Sequence, residues 1–170
     1  TSQAYSVCFV GNQQVACGGI FEEILVFDAQ WGKRLASLGG TQRAGCLLYD
    51  AQRHLLVSGH ADGRLRIHQA ADWKLIHTMG SSIGGITSLQ LSPCREFYLT
   101  GSQHGRLDLW EAGSNFFVGT VREFRDRRAI TAIEVSPDLE LLTLSPSPLQ
   151  ADVDVGIVPP GLANLTSLVR

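Results

Sequence analysis

Apolar positions come in short runs, separated by clusters of Gly, Asp, Ser and Pro. Such runs, rich in β-branched and aromatic residues, predict strands; no segment reads as a long amphipathic helix with a capping box. One set combines small and apolar residues: 7–10, 45–49, 86–91 and 130–135. A second set, 14–17, 54–58, 97–100 and 139–144, ends at Gly or its equivalent. A third alternates apolar with polar residues: 24–27, 65–68 and 107–110. A fourth follows a polar turn: 34–38, 74–78 and 116–121. Asp62-Gly63 and His104-Gly105 fall between the second and third runs, where a tight turn calls for the positive φ that Gly accepts.

The pattern repeats. Residues 55–67 and 97–109 superpose without a gap at an offset of 42, with Gly59 on Gly101 and Arg64 on Arg106. A weaker copy covers 15–27, where Gly18 precedes Gly59 by 41, and 130–137 echoes 86–93 at an offset of 44. Each unit of a little over forty residues thus predicts four strands. A lone sheet of this kind has two apolar faces, and radial packing against neighbouring copies buries both. Cys8, Cys46, Ser88 and Ala132 are the small residues expected where the innermost strands converge near an axis. That placement makes Cys8 and Cys46 small core residues, not nucleophiles or ligands.

Three elements carry a family resemblance. Ser92-Pro93 and Ser136-Pro137-Asp138 mark the first turn. Ser58-Gly59 and Thr100-Gly101 close the second strand. Gly105 opens a third strand that ends in Trp110-Glu111. Over roughly residues 4–144 the chain resembles the WD-repeat family, most clearly in its two middle units. The resemblance implies an all-β fold: part of a larger β-propeller, three to four blades of four antiparallel strands. It places blades at about 4–40, 44–80, 86–122 and from 130 to 144 onward. Residues 145–170 are expected to be a degenerate blade remainder or a C-terminal tail, since Pro146 and Pro148 interrupt the expected turn. Residues 152–158 are one candidate third strand, and Pro159-Pro160 argues against simple continuation. The family often joins a turn Asp, a His of a Gly-His pair, a strand Ser or Thr and the Trp by hydrogen bonds. No unit here holds all four: His68 stands at the Trp position of one unit and His104 at the Asp position of the next. Blade stability is therefore expected to lean on packing.

Composition narrows the classes. Of 170 residues, 44% are hydrophobic and mean hydropathy is +0.06, as in a globular chain. A net charge of −2 argues against a nucleic-acid footprint or a polybasic membrane patch. No apolar run approaches the length of a membrane span. The four cysteines form no CxxC pair, so they read as free buried thiols of a reducing, intracellular compartment. Cytoplasmic residence is expected, with cytoskeletal and nuclear settings left open. The start lacks a basic region followed by an apolar one, so no signal peptide is read. With no initiator Met, the sequence reads as a piece of a longer protein.

Candidate chemistry is sparse. Ser58, His60 and Asp62 share hydrolase residue types, but they lie on one turn and not on convergent elements. His54, His60, His68, His77 and His104 are scattered, and no phosphate-cradling loop precedes a helix. No catalytic set, metal site, cofactor or small-molecule substrate is expected. The charged stretch 122–128 is read as an inter-blade loop on the face where WD-repeat proteins commonly bind partners. Arg125, Arg127 and Arg128 are candidates to grip an acidic peptide or a phosphate. By the family's geometry Arg43, His60, Gln103 and His104 project from the same face. The resemblance implies a non-catalytic protein-interaction scaffold within a larger protein or multisubunit assembly. Alternatives are a substrate-recognition module of a ubiquitin-ligase-type complex, an enzyme on a propeller scaffold and, against the net charge, a nucleic-acid binder through the Arg loop.

Overall fold

The computed structural model describes residues 3–39, 42–80, 84–124, 127–136, 141–144 and 153–156. Three four-stranded antiparallel meanders follow one another. The first is β1 (Ala4–Val10), β2 (Gln14–Gly19), β3 (Ile24–Asp28) and β4 (Arg34–Leu38). The second is β5 (Ala44–Asp50), β6 (Leu55–His60), β7 (Arg64–Gln69) and β8 (Leu75–Gly80). The third is β9 (Ile86–Leu91), β10 (Phe97–Ser102), β11 (Arg106–Glu111) and β12 (Phe116–Glu123). A fourth sheet holds β13 (Ala132–Val135), β14 (Leu141–Leu144) and β15 (Val153–Gly156) among the described residues. Every strand read from the sequence is present, most one to three residues longer; the start of the last second-type run, 139–140, lies outside the described residues. So do the prolines and most of the tail.

The first strands of successive sheets touch in chain order, β1 with β5, β5 with β9 and β9 with β13. Alternation along each strand then serves two interfaces. Val10, Ala16, Ile24 and Val26 pack against Leu47, Tyr49 and Leu56 of the second sheet. Val57, Leu65 and Ile67 on its far side pack against Tyr98 and Trp110 of the third. Phe97, Leu99, Leu107 and Leu109 meet Ile130 and Ile133 of the fourth. No sheet buries both faces alone, which is why the repeat must recur.

The glycine that closes each second strand has a packing reason. A Cβ on Gly59 would come within 2.6 Å of both Cys46 Sγ and Ile86 Cγ2. One on Gly101 would strike Ser88 and lie 2.6 Å from Ile130 Cγ2, and one on Gly18 would lie 2.9 Å from the Ala44 Cβ. The next inner strand thus approaches the bare backbone. Register corrects one expectation: Gly18, Gly59 and Gly101 pair with Ser6, Cys46 and Ser88, so Ser6 and not Cys8 holds the small position in the first sheet. The turn between β1 and β2 is one residue shorter than that between β5 and β6, and the ladder leaves Cys8 opposite Ala16. Cys46 is buried and its thiol is pushed up to about 12 by that burial. Cys94 is exposed, against the reading of the cysteines as buried, because it follows Ser92-Pro93 in the turn before β10. Gly63 and Gly105 adopt φ of 75° and 73° in the turns assigned to them.

Candidate functional site

In an antiparallel meander the start of each first strand and the end of each second strand lie at one end of the sheet. Backbone hydrogen bonds repeat there from blade to blade: Ile20 N to Gln3 O, Ala61 N to Arg43 O, Gln103 N to Gly85 O. These rungs hold the loops that rim a cleft of about 530 Å³. All four sheets line it: Tyr5 from the first, Arg43, Gly45 and Ala61 from the second, Gly85, Ile86, Thr87 and Gln103 from the third, Thr131 from the fourth. Arg43 is the one charged residue lining it among the described residues, set among the amide of Gln103 and the hydroxyls of Tyr5, Thr87 and Thr131. Thr87 already donates to Ile130 O at 2.6 Å. The surface therefore offers one guanidinium, an amide and apolar glycine-rich walls, a chemistry suited to a carboxylate on an extended segment.

Of the residues named from sequence, Arg43 and Gln103 meet at this cleft. His104 is exposed beside it, its ring lying over Gly84, whose φ is 91°. Arg127 and Arg128 are exposed on the next loop. The backbone of Arg128 lies against Gly105, and Arg127 N donates to Phe124 O at 3.1 Å. Arg125 lies outside the described residues. Arg122 and Glu123 belong to β12 and not to the loop, and Arg122 sits 4.9 Å over the Phe124 ring. Sequence reasoning missed Tyr5, Thr87 and Thr131. The signal was the repeat offset, which maps Arg43 onto Gly85 and Ala61 onto Gln103.

His60 departs from expectation. It does not project to solvent but is fully buried at the end of β6. Its Nε2 lies 2.8 Å from Ser58 Oγ and its Nδ1 2.5 Å from the Gln42 carbonyl. An N–H at Nδ1 donates to that carbonyl, and Nε2 then accepts from Ser58. His60 thus ties the strand serine to the loop before β5 and fixes the residue next to Arg43. Its position two residues after Ser58, hence on the same face of the strand, was the legible sign. Burial drives its pKa down to about 4, and His68, also buried, is driven to about 4 for the same reason. Asp62 does not complete a triad. Its carboxylate is held by Arg66 at 2.7 Å, and that pairing outweighs burial to hold it below the usual range. The third sheet keeps the other half of the network, with Trp110 Nε1 donating to Thr100 Oγ1 at 3.0 Å. Among the described residues no three His, Cys, Asp or Glu side chains gather as metal ligands, and no helix is long and apolar enough to cross a membrane.

Four consecutive meanders with their first strands in contact are blades of a β-propeller. The strand-closing glycines and the Thr100–Trp110 bond resemble those of WD repeats, and the blades form a partial propeller. No family model matches the chain. It is 32% identical over 100 residues to U3 small nucleolar RNA-associated protein 15 of Schizosaccharomyces pombe, covering 57% of this chain and 20% of that protein. It is 28% identical over 102 residues to the human F-box/WD repeat-containing protein 8, covering 58% of this chain and 17% of the relative. A rice pre-mRNA-processing factor 19 (Oryza sativa subsp. japonica) matches at 23% over 128 residues, 73% of this chain and 24% of the other. The chain therefore spans about a quarter or less of these relatives. Among solved structures, the WD40 repeats of RRP9 superpose with a TM-score of 0.74 at 14% identity, over 85% of this chain and 46% of theirs. That likeness concerns the fold alone.

Proposed function

We propose that this chain is a section of a larger WD-repeat propeller and acts as a non-catalytic scaffold that binds other proteins. The observation that carries this is the cleft rimmed by Arg43 and Gln103 where four inner strands begin. A rigid stack of sheets presents loops fixed by backbone rungs, and one guanidinium is available for an acidic or C-terminal carboxylate. The hydrolase-like pair Ser58 and His60 is fully buried, and Asp62, the would-be acid, is held by Arg66. The relatives' names point the same way: an F-box protein, a small nucleolar RNA-associated protein and a pre-mRNA-processing factor. Two of those names refer to RNA, one of them to small nucleolar RNA, so an intracellular role in the nucleus fits as well as one in the cytoplasm. The F-box name also supports a second reading, recognition of substrates for a ubiquitin-ligase-type complex.

The test is a photo-crosslinker at Gln103 in the full-length protein, with partners identified by mass spectrometry. We expect a discrete protein adduct, weakened about tenfold by Arg43→Glu, the loss of one charge-assisted contact. A variant with unchanged far-UV circular dichroism and undiminished adduct would remove the cleft from the reading. Capture of RNA in place of protein would overturn it.

A further inference from the structure

The outward face of blade one ends in two polar side chains. The rows that begin with Val7 and Phe9 on β1 run across the sheet to Ser37 and Arg34 on β4. Arg34 and Ser37 are three residues apart, a spacing that puts side chains on opposite faces of a regular strand. Here they share a face. Their partners Phe27 and Leu25 are two apart on β3, because the ladder shifts between Val26 and Phe27 and leaves Leu35 as an extra residue on β4. The two rows are about 7 Å apart along β3, within the reach of an arginine side chain.

The two groups are differently engaged. Ser37 Oγ donates to Glu23 Oε2 at 2.6 Å. Arg34 is exposed and enters no ion pair among the described residues. Ser37 is exposed too, on the outermost strand, which pairs only with β3. A blade packed on this face leaves the position open. Thr78 and Thr120 hold the same register in blades two and three, and both are exposed although another blade lies on that face. Around Ser37 the chain reads Lys33-Arg-Leu-Ala-Ser-Leu38, with cations three and four residues before the hydroxyl and an apolar residue after it. Charge patterns of this kind direct protein kinases to a serine. Thr131 also follows an arginine by three residues, but it lies in the cleft, just before an innermost strand.

We propose that Ser37 is a phosphorylation site for an arginine-directed serine kinase, and that the phosphate exchanges the Glu23 contact for one to Arg34. Ser37 Oγ attacks the γ-phosphorus of the nucleoside triphosphate held by the kinase. The new O–P bond forms, the bond to the β,γ-bridging oxygen breaks and the nucleoside diphosphate leaves. The hydroxyl proton passes to the carboxylate base of the kinase. The product has no hydroxyl proton to give Glu23 and sets about two negative charges beside it. Repulsion parts the two, and Arg34, already on the same face, takes the phosphate by charge-assisted hydrogen bonds. The turn that Glu23 tethers just before β3 is thereby released.

The test incubates the full-length protein with adenosine triphosphate and a purified serine kinase that selects arginine three residues before its target. Phosphopeptides are located by mass spectrometry. The expected result is one phosphate on Ser37, none on Thr131, and none on that peptide in Ser37→Ala. Arg34→Ala, with unchanged far-UV circular dichroism, lowers the initial rate about tenfold, the loss of one charge-assisted contact. In the phosphorylated protein the amides of residues 22–24 exchange about tenfold faster, as for a local opening. Ser37 left unmodified, phosphate on Thr131 in its place, or a rate indifferent to Arg34→Ala overturns the site. Exchange unchanged by the phosphate overturns the release. Neither outcome touches the cleft, which is read by the Gln103 crosslink.

Discussion

Blades two and three share a backbone plan and differ in what holds it. Both close the second strand with a glycine against the next inner strand, and both use the same loop rungs. Blade three then joins its second and third strands through Trp110 and Thr100, with Phe117 packed on the indole at 4.9 Å. Blade two has His68 at the Trp position, with Nδ1 buried and unpartnered, and it links Ser58 to His60 instead. The comparison teaches that close backbone approach is the fixed part of the repeat. The polar network on top of it is exchangeable, because either a donor or an acceptor that reaches the strand hydroxyl satisfies it. The exchange has a consequence for pH. An indole does not titrate, and an imidazole does.

The largest effect separating the two blades should come from deleting the rings. Trp110→Ala removes a buried indole and its hydrogen bond and is expected to cost about 3–5 kcal/mol. His68→Ala should cost clearly less, since the ring is smaller and its Nδ1 leaves no partner behind. Urea unfolding of both variants at pH 7 measures this, and equal losses would break the asymmetry. Next comes acid. The folded pKa values of His60 and His68 are about 4, against 6.5 for an ordinary histidine, so between those limits the unfolded chain binds the additional protons. Stability is complete above pH 6.5 and declines as pH falls toward 4, by about 2 kcal/mol for each histidine at pH 5. Hydrogen exchange should therefore show β6 and β7 opening before β10 and β11 as pH is lowered. Uniform loosening of both blades would contradict the assignment.

Much of this architecture was legible because strands and turns are local. The offset of 42 between Gly59 and Gly101 and the Asp-Gly turn carry their own geometry. Pairing details were not. Counting residues put Cys8 at the position of Cys46, and the strand pairing gives that place to Ser6. His60 was read as a turn residue because Asp62-Gly63 follows it. The strand runs on to His60, and its ring folds back on the loop before β5, a contact spanning 18 positions that no local pattern encodes. Arg43 and Gln103 were found through the resemblance. Their meeting in one cleft depends on the stacking of sheets, which the repeat implies only in outline.

The smallest effect concerns what ties the two blades to each other. Asp50 is fully buried at the end of β5 and accepts from Arg53 Nη1 at 2.9 Å and from the backbone of Gln52 and Arg53. Burial alone would raise its pKa; Arg53, its backbone amide and Tyr98 together hold it below the usual range. The Tyr98 hydroxyl donates to Asp50 Oδ2 from the next blade at 3.2 Å, and Arg53 reaches the Arg95 carbonyl at 2.9 Å. Two polar links thus cross an otherwise apolar interface. Tyr98→Phe keeps the ring packing and removes one donor, while Asp50 retains three others, so the loss should be about 1 kcal/mol. The urea midpoint should fall with an unchanged slope, because the same surface is exposed on unfolding. A lowered slope would mean that the blades have begun to part separately, and the Tyr98–Asp50 contact would then be what makes them unfold as one.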